Sequence, residues 1–169
     1  APGSRDVGGI RDLDQRTLSV DPGDKAAVEK ALRALIDADA TRFGIASADL
    51  KLHHLVHHRL GGLEGLADIH QAIFKQTRDG LPVKGAELRF TLKTLQGKPT
   101  IVSQNGRLFP QLDVDTRTTL PEDVIEGKLA ERLGSSPQSD AAALRPAGEQ
   151  IVYARGAWRR VRLYESRSA

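Results

Sequence analysis

Residues 86–95 carry the pattern that most constrains the fold. Ala86, Leu88, Phe90 and Leu92 are apolar at every second position, with mostly polar residues between them. That spacing predicts a strand with one buried and one wetted face. Gln96-Gly97-Lys98 then offers a turn, and residues 100–104 return as a partner strand. The stretches before it read alike. Leu50, Leu52, Leu55 and Val56 predict a strand, and Gly61, Gly62 and Gly65 a loop. Residues 68–77, with Ile69, Ile73 and Phe74, predict a second strand, and Arg78-Asp79-Gly80 a turn. Asn105-Gly106 reads as a further turn signal. The result is an antiparallel meander.

A sheet with one apolar face needs a cover. Val28, Leu32, Leu35, Ile36 and Phe43 fall on one helical stripe. The helix is expected to begin at Asp21 as N-cap, with Pro22 in the first helical position, and to stop at Gly44. Residues 1–20 hold Pro2, Gly3, Gly8 and Gly9 and little periodicity, as in a loose leader or an edge segment.

The pattern changes after Pro110. Residues 111–118 read as a connector. Thr119-x-x-Glu122 suggests a capping box for a helix with Val124, Ile125, Leu129 and Leu133 on one face, ended by Gly134. Residues 135–148 read as loop. Residues 151–154, the turn Arg155-Gly156 and residues 157–165 form a closing hairpin. There is no internal repeat at fixed period. The expected fold class is α+β, with two small modules, each an antiparallel sheet packed by a helix. They span 21–112 and 113–169, behind a leader of residues 1–20.

Composition narrows the function. Aromatic residues are only 4%, so the core must be built mainly from Leu, Ile, Val and Ala. The 25 basic and 22 acidic residues leave a net charge of +3, too even to imply nucleic-acid binding. Basic residues concentrate at 155–162. With no cysteine, neither a disulfide framework nor a thiolate zinc site is possible. No apolar run approaches about 18 residues, so no membrane span is expected. The start Ala1-Pro2-Gly3-Ser4 lacks the charged-then-apolar pattern of a signal peptide. That suits a cytosolic protein or one whose signal has been removed.

The sequence has no His-Glu-x-x-His zinc motif, no Gly-x-Ser-x-Gly elbow and no Gly-x-x-x-x-Gly-Lys phosphate loop. Its carboxylates are scattered, with no pairing that singles out an acid and a base. No enzymatic activity is expected. Two clusters remain. His53, His54, His57 and His58 lie within six residues, with His70 nearby. On a helix, His53 with His57 and His54 with His58 would make metal-binding pairs. On a strand, each pair shares a face but stands ~13 Å apart, too far for one ion. The flanking pattern favours the strand, hence solvated or half-buried histidines and no metal. Arg155, Arg159, Arg160 and Arg162 fit either docking on an acidic partner or a solvated strand face with Trp158 and Tyr164 beneath.

Residues 72–88 read Ala-Ile-Phe-Lys-Gln-Thr-Arg-Asp-Gly-Leu-Pro-Val-Lys-Gly-Ala-Glu-Leu. This segment resembles the signature of the fungalysin/thermolysin propeptide domain. A strand ends in Gln-Thr, a Gly-Leu-Pro-Val turn follows, and a small residue steps into the next strand. The matching residues are Gln76, Gly80, Leu81, Pro82, Val83, Gly85 and Leu88; Arg78 and Lys84 stand where the family more often has an aromatic. Arg42-Phe43-Gly44-Ile45 and Asn105-Gly106-Arg107-Leu108, followed by Pro110-x-Leu112, are similar to the same family. Residues 119–165 resemble the PepSY module that commonly follows.

The resemblance implies a secreted or periplasmic propeptide that helps a zinc metallopeptidase fold and then blocks its cleft, without cofactor, nucleic acid or membrane. Its partner would be the catalytic domain of the cognate zinc metallopeptidase. It further implies a product-like inhibitory tail, Ser166, Arg167, Ser168 and Ala169. The alternative is a free-standing secreted or periplasmic binding or inhibitor module acting in trans.

Overall fold

The structure, a computed structural model, describes residues 3–7, 16–60, 66–118, 120–133 and 144–166. The chain divides into two compact units, Ala1–Thr77 with Gly85–Leu112, and Arg78–Lys84 with Asp113–Ala169. The fold class is α+β, as the alternation and the helical stripe predict.

The first unit contains β1 (Arg5–Asp6), α1 (Lys25–Ala38), α2 (Ala40–Phe43), a 3-10 turn (Ser47–Asp49) and β2 (Leu50–His58). β3 (Ile69–Arg78), β4 (Leu81–Leu95) and β5 (Lys98–Leu108) follow, and the sheet order is β1-β5-β4-β3-β2. The every-second-residue pattern does what it predicts. Leu88, Phe90 and Leu92 join Ala72, Phe74, Leu50 and Ile101 in one buried cluster with Val28, Leu32, Leu35, Ile36 and Phe43. Phe90 sits 6.5 Å from Phe43 and 6.2 Å from Phe74, ring to ring. Each such pair adds about 1 kcal/mol beyond burial.

α1 begins three residues later than expected. Asp21 instead builds a turn, its Oδ1 accepting from Gly23 N at 2.8 Å. Asp24 is the N-cap, its carboxylate accepting from Ala27 N at 3.0 Å. The helix also breaks at Asp39 before α2 ends at Gly44, whose φ of 73° gives the left-handed stop. Of the two readings of residues 1–20, the described residues form an edge. Arg5 and Asp6 pair with Leu108 and Arg107, Leu18 N donates to Pro99 O, and Val7 and Leu18 are buried.

Asn105-Gly106 does not turn the chain. Both residues lie inside β5, with Gly106 opposite Leu88 and Asn105 opposite Arg89. A side chain at 106 would have its Cβ 2.3 Å from Glu87 O, so the glycine serves the close approach of two strands.

The second unit combines residues 78–84, α3 (Glu122–Leu133), β6 (Leu144–Ala154) and β7 (Ala157–Ser166). β6 and β7 form the expected hairpin, and Val83 pairs with Ile151 in parallel. That parallel contact makes the pairing mixed, where purely antiparallel sheets were expected. β6 starts at Leu144, inside the stretch expected to be loop, with an irregularity between Pro146 and Gly148. α3 starts at Glu122, so Leu120 and Pro121 precede it. Thr119 and Gly134, the expected cap and stop, lie outside the described residues.

One buried residue opposes the packing around it. Gln104 is 1% exposed, and neither atom of its carboxamide meets a hydrogen-bond partner. Burying an amide without a partner costs about 1–3 kcal/mol. Gln104→Met, similar in length and apolar, is expected to stabilise the chain by about 1 kcal/mol in urea unfolding. A lowered midpoint would mean the carboxamide is satisfied.

Candidate functional site

Three stretches bearing the propeptide resemblance meet in the first unit, around Phe109 and Pro110. Gln76, at the end of β3, is 2% exposed. Its Nε2 donates to Phe109 O at 2.8 Å, and its Oε1 accepts from Phe109 N at 2.9 Å. One carboxamide thus takes the place of a β-ladder rung where β5 has ended. Gly44 lies under Pro110, whose Cγ would be 2.7 Å from a Cβ at that position. The Arg5 guanidinium donates to the carbonyls of Thr41 and Arg42. Leu88 is fully buried in the same core.

The rest of the signature shapes the hairpin. Asp79 and Gly80 have φ of 51° and 78°, the geometry of a two-residue turn between twisted strands. Leu81 is half-buried, Pro82 exposed and Val83 buried. Gly85 has φ of 76°, and the buried positions step there from odd to even, Val83 to Ala86. These residues form a turn, a left-handed step at Gly85 and a packed joint at Gln76. Of the proposed tail, Ser166 ends β7, while Arg167, Ser168 and Ala169 lie outside the described residues.

The histidines lie on a strand, as the flanking pattern favours, but one expectation needs correction. The register of β2 slips between Leu52 and His54, so His53 has no partner in β3. Faces after the slip are therefore inverted, and His53 does not share a regular face with His57. His57 instead turns toward His70 across the ladder, their rings stacked at 4.0 Å and 18°. Asp68 Oδ2 accepts from His57 Nε2 at 2.8 Å, and Asp68 Oδ1 from Leu60 N at 2.7 Å. His70 is 2% exposed and shares a hydrogen bond with Thr94 Oγ1 at 3.2 Å. Burial, then the neighbouring His57, pushes the His70 imidazole below its ordinary pKa, against the pull of Asp68. Among the described residues no set of three ligands is arranged to hold a metal ion. The sequence does carry a trace of the slip. Leu50 and Leu52 are even and Leu55 is odd, so the inward parity changes between them.

In the second unit half of the basic run is drawn inward, while Arg155 and Arg159 are exposed. Arg160 and Arg162 both reach Glu149 on the facing strand, at 2.5 and 3.3 Å, and Arg160 also donates to Thr116 O. The Arg160 hydrogen bond holds the Glu149 carboxyl below its usual range. These residues, with Thr118, Leu120, Ile125, Val161 and Tyr164, line a cleft of about 330 Å³. Arg159 is exposed and donates to Ala154 O. The run is therefore not one solvated face. Arg160 and Arg162 share the period-two face of Trp158 and Tyr164 and are half-buried.

Comparison of the chain with protein-family models, with curated proteins and with solved structures returns no match.

Proposed function

We propose that the chain is the propeptide of a secreted zinc metallopeptidase, acting as its intramolecular chaperone and inhibitor. The observation that carries the reading is the convergence of the three resembling stretches. Gln76 clamps Phe109, and Gly44 seats Pro110, although these residues are far apart in sequence. A template that guides another domain needs a rigid surface more than it needs a nucleophile or a base. Inhibition is product-like: the tail Ser166-Arg167-Ser168-Ala169 lies in the peptidase cleft, and its carboxylate is an acceptable oxygen ligand for the partner's zinc.

The coding sequence beyond Ala169 is expected to contain His-Glu-x-x-His. The purified peptidase so identified should be inhibited by this chain, and removing residues 166–169 should weaken inhibition by about tenfold or more, the worth of one good contact. Undiminished inhibition by the shortened chain would sink the tail mechanism. A chain that inhibits a zinc peptidase encoded elsewhere would instead be a module acting in trans.

A further inference from the structure

We propose that His57, His70 and Asp68 form an acid-sensitive latch at the end of the β2–β3 ladder. This inference does not depend on the proposed function. Its physical basis is a shortage of counter-charge. Two imidazoles lie stacked at 4.0 Å, and one carboxylate serves them through a 2.8 Å contact to His57. A charge on His70 would lie against the His57 ring across the stack, in a site 2% exposed, while the one carboxylate is already bonded to His57.

The groups around His70 offer no other compensation among the described residues. From β2 it meets His57, from the segment before β3 Asp68, and from β4 the neutral Thr94 hydroxyl. From α1 the charged pair Arg33–Glu29 is stationed elsewhere, with Arg33 over the Phe74 ring at 5.3 Å. His58, next to His57 on β2, is exposed.

Asp68 makes the cluster a latch. Its carboxylate holds His57 and the Leu60 amide, and its backbone carbonyl accepts from Thr94 N at 2.8 Å. One residue thereby ties together β2, the approach to β3 and the end of β4.

The sign follows from linkage. The unfolded His70 takes up a proton near pH 6.5, whereas the folded one does so only at lower pH. Stability is therefore fully present above pH 6.5 and is lost as pH falls toward the folded-state pKa. Down to that point the unfolding equilibrium constant is expected to rise about tenfold per pH unit.

The experiment uses the full chain. Proton NMR should place the His70 titration below pH 6.5, and urea unfolding should show the acid-dependent rise as pH falls below 6.5. His70→Asn should remove that rise while keeping a stable fold at pH 7.5. Should the variant fail to fold, the wild-type titration of His70 decides alone. A His70 that titrates at or above pH 6.5, or an equal acid slope in His70→Asn, would overturn the latch.

Discussion

Gly106→Ala is expected to cost about 3 kcal/mol, the upper end for forcing extra volume into a packed site. The added Cβ would stand 2.3 Å from Glu87 O and 2.9 Å from Leu88 Cα. Both are backbone atoms in the middle of the β4–β5 ladder, so no rotamer change relieves the clash. The strands must part where Leu88 is fully buried and where Val7 N donates to Gly106 O at 2.8 Å. Melting followed by circular dichroism should show a fall of roughly 10 °C. A variant melting within about 2 °C of the parent would mean that the strands separate freely at this rung.

The second large effect is expected at Gln76. Gln76→Leu keeps the volume but removes both hydrogen bonds to the Phe109 backbone. Buried polar groups that lose their partners cost about 1–3 kcal/mol each, so the loss should be about 3 kcal/mol. Gln76→Glu separates this account from simple packing. An ionised carboxylate accepts from Phe109 N but cannot donate to Phe109 O, and it places a charge in a buried site. The variant should be weakest near neutral pH and recover on acidification, as the protonated carboxyl regains a donor. A loss independent of pH would contradict the donor-and-acceptor role. Gln76 and Gln104 are both buried glutamines of the first unit, yet substitution should have opposite signs, because only Gln76 has its partners.

How far the sequence discloses the fold depends on how local each cause is. The hairpin turns were legible because they are local. Asp79-Gly80, Gln96-Gly97 and Arg155-Gly156 each end in glycine, and all six residues take positive φ. The stripe from Val28 to Phe43 was legible for the same reason and is buried throughout. Asn105-Gly106 carries a common turn signal yet lies inside β5. The actual constraint on Gly106 comes from Glu87 on the facing strand, beyond the reach of local pattern. The start of α1 was misplaced because three acceptable capping signals, Asp21, Pro22 and Asp24, lie within four residues.

The candidate site divides similarly. Gly80 and Gly85 could be assigned a conformation from their neighbours, and both have the positive φ that glycine favours. The clamp of Gln76 on Phe109 spans 33 positions and leaves no periodic trace. The His57–Asp68 pair depends on a register slip and on a carboxylate eleven residues away. Four histidines cluster in the sequence, yet the contact forms between one of them, His57, and His70.

The measurement that bears most directly on the proposed propeptide role is assisted refolding. Where a zinc peptidase domain is found encoded beside this chain, that domain would be denatured and diluted into buffer with and without an equimolar amount of the chain. The account predicts little active peptidase alone, and a large recovery with the chain once the chain is digested away. Before that digestion the refolded peptidase should be inhibited. Equal recovery with and without the chain, together with uninhibited peptidase, would contradict it.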